Sequence, residues 1–118
     1  MPVGDRRTVD RVTDTASMAP FLEDAAHVPG GFTAAVAFPR SEQDVSDLIR
    51  EARSVLPVGA QSSLTGGATP RGEVVLSTSR LRSLDVLDTH VRAGAGVTLL
   101  DVAAQLRTRG ALYPPAPT

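Results

Sequence analysis

The 118-residue chain contains no cysteine and no lysine, and nowhere carries an apolar run near the eighteen or so residues that a bilayer crossing needs. Without cysteine there are no disulfides, no thiolate nucleophile and no zinc ribbon, a composition compatible with the cytosol, where we expect the protein to work. Without lysine there is no P-loop, whose lysine beside the second glycine must reach the terminal phosphates. All twelve basic residues are arginine, they are scattered along the chain, and the net charge is -1. A nucleic-acid surface needs basic residues clustered on one face or arm, so that partner is not expected. Repeats and low-complexity tracts are absent too. Arg6-Arg7 resembles the start of a twin-arginine export signal, but Thr8-Val9-Asp10-Arg11-Val12-Thr13-Asp14 follows where an apolar core is required, and the export reading fails. What remains, 42% hydrophobic and 21% charged, is the make-up of an ordinary globular segment.

The most informative stretch is Leu56-Pro57-Val58-Gly59-Ala60-Gln61-Ser62-Ser63-Leu64-Thr65-Gly66-Gly67-Ala68-Thr69-Pro70, a run of small residues between two β-like apolar segments. Gly59, Gly66 and Gly67 tolerate positive φ and close approach, while Ser62, Ser63 and Thr65 add hydroxyl donors. Successive amides in such a loop can form a concave nest around an anion, and a diphosphate suits it. The same composition also serves as a plain surface connector, as most loops rich in turn residues do.

Local patterns around the loop predict an α+β fold: a short mixed sheet with two packed helices against one side. Residues 32–38 are apolar and closed by Pro39, which suits a first strand. Ser41 supplies an N-cap with Asp44 three residues on, and Val45, Leu48, Ile49 and Ala52 recur at helical spacing. Strands are expected at 55–58, 73–78, 84–87 and 91–93, the last two flanking an Asp88-Thr89-His90 turn. Thr98 caps a second helix bearing Leu99, Val102, Ala103 and Leu106, with Gly110 as its stop. Residues 16–22 suit a short helix in an otherwise aperiodic beginning. No helix follows the Gly/Ser loop, so an anion there must be held by loop amides with little macrodipole help.

Other chemistry is weaker. Gly94-Ala95-Gly96-Val97-Thr98-Leu99 sits in the strand-to-helix setting of the Rossmann fingerprint but has Leu99 in place of its third glycine, and a tight turn explains it as well. His27 lies in a Pro/Gly-flanked loop and His90 in a hairpin turn, both common places for a solvated imidazole. Asp85 and Asp88 sit beside that turn, where carboxylates face solvent. We assign no catalytic residue and no metal ligand.

Four segments in sequence order carry a family resemblance: Phe38-Pro39-Arg40-Ser41-Glu42-Gln43-Asp44-Val45, the Gly59 to Pro70 loop, Val91-Arg92-Ala93-Gly94-Ala95-Gly96-Val97-Thr98-Leu99, and Tyr113-Pro114-Pro115-Ala116-Pro117-Thr118. Together they resemble the first part of the FAD-binding domain of flavoproteins related to vanillyl-alcohol oxidase and p-cresol methylhydroxylase, in the branch that holds glycolate oxidase and the D-lactate dehydrogenases. The resemblance implies FAD contacts from Val58, Gly59, Ala60, Gln61, Ser62, Ser63, Leu64, Thr65, Gly66, Gly67, Pro114, Pro115 and Thr118. Some members attach flavin through a His in this loop. Here Gln61-Ser62-Ser63 stand there, so non-covalent FAD is expected. It further implies residues 1–30 as a lead-in arm and 31–118 as a truncated portion of the domain, completed elsewhere by a second lobe and a substrate-binding cap. The activity implied is oxidation of a 2-hydroxy acid or similar alcohol by hydride transfer to flavin. A stand-alone nucleotide-binding module and a non-catalytic interaction domain are the alternatives, and a flavin titration separates them.

Overall fold

The computed structural model describes residues 9–112. In chain order the elements are β1 (Arg11–Val12), α1 (Thr15–Met18) running into a 3-10 turn (Ala19–Phe21), β2 (Val36–Ala37), α2 (Glu42–Glu51), β3 (Val55–Val58), β4 (Val74–Ser77), β5 (Leu84–Val86), β6 (Val91–Ala93) and α3 (Leu99–Arg107). Four strands form a mixed sheet in the order β1-β2-β4-β3, and β5 pairs with β6 as a separate hairpin. β1 runs antiparallel to β2, whereas β2 and β3 both lie parallel to β4, with Val36 opposite Val75 and Val58 opposite Ser77.

The central strands are apolar on successive residues because both faces are covered, as parallel strands require. Ala37 and Leu76 point to one side and join Val9 and the fully buried Leu48 of α2, with Val45, Val55 and Val74 around them. Val36, Val58 and Val75 point to the other side, under Met18, Phe21, Phe38 and Ala68. The structure therefore corrects the expectation of helices on one side. α2 covers one face, the α1 segment and part of the Gly/Ser loop cover the other, and α3 packs on β5 of the hairpin through Val102 and Leu106.

Local signals set the helix ends. Ser41 Oγ accepts the Asp44 amide at 3.1 Å, and the Asp44 carboxylate reaches back to the Arg40 amide at 3.0 Å, one residue beyond the usual reciprocal cap. Thr98 Oγ1 accepts the Asp101 amide at 3.1 Å. Past α3 the chain turns at Gly110 (φ +66°), with the Ala111 amide bonded to the Leu106 carbonyl and the Gly110 amide to Arg107, the Schellman pattern. Ile49, expected on the buried stripe of α2, is 58% exposed, and Ala52 is the C-cap. The strand expected over 32–38 shrinks to Val36–Ala37. Thr33 Oγ1 bonds the carbonyls of Ala35 (2.9 Å) and Glu73 (2.7 Å), a side-chain competition with the ladder, and Phe32 makes only an isolated bridge to Arg71.

Candidate functional site

Two parallel neighbours cannot be joined by a tight turn, because the chain must travel back the length of the strand before the second begins. Between β3 and β4 that return is made by the Gly/Ser loop with no helix in it. The loop leaves from the carboxyl end of β3, the edge of a parallel sheet where α/β proteins place ligands. Val58, 2% exposed, anchors its first limb: the Val58 carbonyl accepts the Thr78 amide at 3.0 Å and Thr78 Oγ1 at 3.3 Å.

The positive-φ positions differ from those expected. Gly66 is left-handed (φ +79°) and so is Gln61 (φ +55°), whereas Gly59 and Gly67 are not. A Cβ on Gly59 would meet nothing closer than Thr78 Oγ1 at 3.8 Å, so backbone geometry does not demand glycine there. A Cβ on Gly66 would come within 3.3 Å of Val28 Cγ2 in a conformation that L side chains rarely adopt. Ser63 is used inside the loop: its Oγ lies 3.2 Å from Thr65 Oγ1 and 3.3 Å from the Thr65 amide it accepts. Ser62 and Leu64 are exposed, Leu64 to 78%. Among the described residues, no acceptor takes the amide N–H of Ala60, Gln61, Ser62, Ser63, Leu64, Gly66 or Gly67, while those of Thr65, Ala68 and Thr69 are taken.

A residue that the sequence did not single out organises this loop from beneath. Asp24 is 3% exposed. Its Oδ1 accepts the Ala26 amide (2.9 Å), its Oδ2 accepts the Ala68 amide (3.2 Å), and its own amide reaches Thr69 Oγ1 (3.4 Å). Burial alone would raise its pKa, but the amides of Ala68 and Ala26, with the nearby Ser63 hydroxyl, outweigh that and hold the carboxyl below its ordinary value. The adjoining residues grip the opposite limb, since the Ala25 amide donates to the Gln61 carbonyl (3.0 Å) and Gln61 Nε2 donates to the Glu23 carbonyl (3.1 Å). Only the local half of this arrangement, an Asp accepting the amide two residues on, has a sequence signal.

The second glycine element is a packing device. A Cβ on Gly94 would stand 2.3 Å from the Leu81 carbonyl oxygen, and one on Gly96 2.1 Å from that of Thr78. Their amides donate to Ser83 (2.8 Å) and Leu81 (2.9 Å), fastening the hairpin to the segment leaving β4. Beside it, a cavity of about 310 Å³ lies between Arg40, Ser41 and Val45 at the start of α2 and Arg92, Gly94 and Ala95 of the hairpin, away from the Gly/Ser loop. At the carboxyl edge Asp10 ion-pairs with both Arg40 and Arg80 at 3.2 Å, and the Arg80 guanidinium sits 4.8 Å from the centre of the Phe38 ring. His27 (near Glu23 Oε1 at 3.0 Å), His90, Asp85 and Asp88 are all exposed. No group of three or more His, Cys, Asp or Glu among the described residues could hold a metal ion, and no helix there is long and apolar enough to cross a membrane. Pro114, Pro115 and Thr118, named on the resemblance, lie outside the described residues.

Mixed sheet, helix-free crossover and hairpin-borne third helix together define an α+β lobe of the flavoprotein type. The chain belongs to the FAD binding domain family, whose model matches residues 33–118, and with it to the flavoproteins related to p-cresol methylhydroxylase and vanillyl-alcohol oxidase. It is thus a flavin-binding segment of a flavoprotein, from a family whose members are generally flavin oxidoreductases. No curated protein matches the chain significantly.

Proposed function

We propose that this chain supplies the diphosphate cradle for FAD in an oxidoreductase that acts on a 2-hydroxy acid or similar alcohol, in the branch of glycolate oxidase and the D-lactate dehydrogenases. The observation that carries the cradle is the run of partnerless amides at Ala60, Gln61, Ser62, Ser63, Leu64, Gly66 and Gly67, at the carboxyl edge of two parallel strands. Those donors fit an anion of two phosphates. Val58 and Gly59 fix where the loop departs, and Thr65 and Ser63 staple its middle. With Gln61-Ser62-Ser63 in the loop and no His, FAD is held non-covalently. When bound, FAD accepts the hydride at flavin N5, and this chain's part is to hold and orient it. The substrate-binding and catalytic side chains belong to a second lobe and cap beyond residues 31–118, for which residues 1–30 are the lead-in. Work in the cytoplasm suits a chain without cysteine.

Titration of FAD against the full chain, read by quenching of flavin fluorescence, tests the cradle. ADP should compete and riboflavin, which has no diphosphate, should not. Gly66→Val should weaken FAD by tenfold to a hundredfold, because a β-branched residue forced to φ +79° is strained by about 1–3 kcal/mol. Unchanged affinity in that variant, or riboflavin competing as well as ADP, would remove the loop from the site.

A further inference from the structure

Asp24 lies nine residues before the segment that matches the family, which begins at residue 33. It is a buried carboxylate with no basic side chain within ion-pair distance among the described residues. A charge in that position is expensive unless fixed dipoles compensate it. The compensating dipoles are the amides of Ala26, next to it in the chain, and Ala68, on the far limb of the Gly/Ser loop. The near limb is tied to the same short segment by the Ala25 amide and the Glu23 carbonyl, both bonded to Gln61. The residues with partnerless amides therefore hang between two fastened points, Gln61 and Ala68, that share one anchor.

We infer that Asp24 is a positioning residue for the flavin loop: by drawing the Ala68 amide inward and holding the 23–26 segment under Gln61, it keeps the intervening amides spread and unbonded before the diphosphate arrives. This rests on the cradle reading above. A loop organised in advance loses less freedom on binding, so the anchor acts on affinity without touching the cofactor. It also accounts for the left-handed Gln61. A non-glycine residue stays in that conformation only where its surroundings hold it, and both its carbonyl and its side-chain amide are held by residues 23–25.

Amide hydrogen exchange on the full chain separates anchoring of the loop from general support of the fold, because local opening and global unfolding expose different peptides. Asp24→Asn keeps the shape but turns an amide donor toward one of the two backbone N–H groups. It should accelerate exchange across residues 59–70 at least tenfold, leave β2 and β4 at wild-type rates, and weaken FAD at least tenfold in the titration. Unchanged exchange in the loop, or equal acceleration in β4, overturns the inference. If Asp24→Asn does not fold, Gln61→Ala decides, since it removes only the bond to the Glu23 carbonyl. Faster exchange confined to residues 60–64 supports the anchor, and no change there refutes it. A wild-type chain that ignores FAD while Asp24→Asn still loosens the loop would sink the flavin reading and leave the anchor standing.

Discussion

Replacing Gly96 with alanine would place a methyl carbon 2.1 Å from the Thr78 carbonyl oxygen and 3.1 Å from that of Leu81. Real Cβ atoms essentially never come closer than 3.0 Å, so backbone must retreat by at least 0.9 Å (3.0 minus 2.1). Both sides of the contact are backbone, so no side chain can rotate out of the way. The retreat strains the bonds from the Gly96 amide to Leu81 (2.9 Å) and from the Gly94 amide to Ser83 (2.8 Å), which hold the hairpin and, through it, Val102 and Leu106 of α3. Two backbone hydrogen bonds contribute about 0.5–1.5 kcal/mol each. Overpacking adds about 1–3 kcal/mol, so the expected loss is about 2–6 kcal/mol. Against the roughly 5–15 kcal/mol that holds a domain together, this is a large share. A thermal melt of the full chain followed by circular dichroism should move down by on the order of 10 °C or more. Gly59→Ala is the matched control: same substitution, ordinary φ, nearest atom at 3.8 Å, and an expected change within about 0.5 kcal/mol. A Gly96→Ala melt within two degrees or so of wild type, or Gly59→Ala as damaging as Gly96→Ala, would refute the close-approach reasoning, given the scale of degrees per kcal/mol above.

Leu48→Ala should cost about 2–5 kcal/mol in urea unfolding, because Leu48 is fully buried between α2 and the sheet. Ser41→Ala should cost about 0.5–2 kcal/mol through the lost cap on the Asp44 amide, measured the same way. Acidification should weaken the fold through Asp24, whose burial raises its pKa less than the Ala68 and Ala26 amides lower it, and through Asp14, lowered chiefly by its bonds to Ser17. Both carboxyls ionise more easily folded than at the ordinary 3.8, so their stabilisation is present above that value and lost as pH falls through the lowered one. Urea midpoints below about pH 4 should therefore fall less steeply in Asp24→Asn than in wild type, and parallel curves would count against the assignment.

Features set by neighbours in sequence were legible. Ser41, Thr98 and Gly110 work as caps and stop because each acts on amides or carbonyls three to five positions away. β3 and β6 fall on the residues expected, and the helix-free loop stands where its glycines, serines and threonines indicated. Features set across the fold were not. Nothing near Asp24 announces the Ala68 amide forty-four residues on. The covering of the second face by Met18 and Phe21 depends on how the first thirty residues return to the sheet, which periodicity over four helical residues cannot encode. Gly59 and Gly66 look alike as letters, yet only Gly66 requires glycine by its backbone angle, because the turn chemistry of the loop is fixed by its two distant ties. Gly94 and Gly96 were noticed for a ligand-binding fingerprint and prove to be points where two stretches of backbone touch.

Pro57 has its own consequence. β3 is an outer strand of the sheet, and the Val74 amide bonds the Ser54 carbonyl while the Thr78 amide bonds that of Val58. In a parallel ladder this phase turns the even-numbered residues of β3 toward β4 and leaves the nitrogen of Pro57 on the open side. That nitrogen carries no hydrogen, so a foreign strand approaching the rim finds a gap in the row of donors it would need. The opposite rim is the two-residue β1, too short to template anything. The lobe is thus guarded at both margins against the edge-to-edge stacking that seeds fibrils. The apolar residues it does show, Leu99, Leu100 and Leu112, are on and after α3, away from the sheet's rims. Self-association of this chain, where it happens, is a matter of greasy side chains meeting rather than of backbones zipping together.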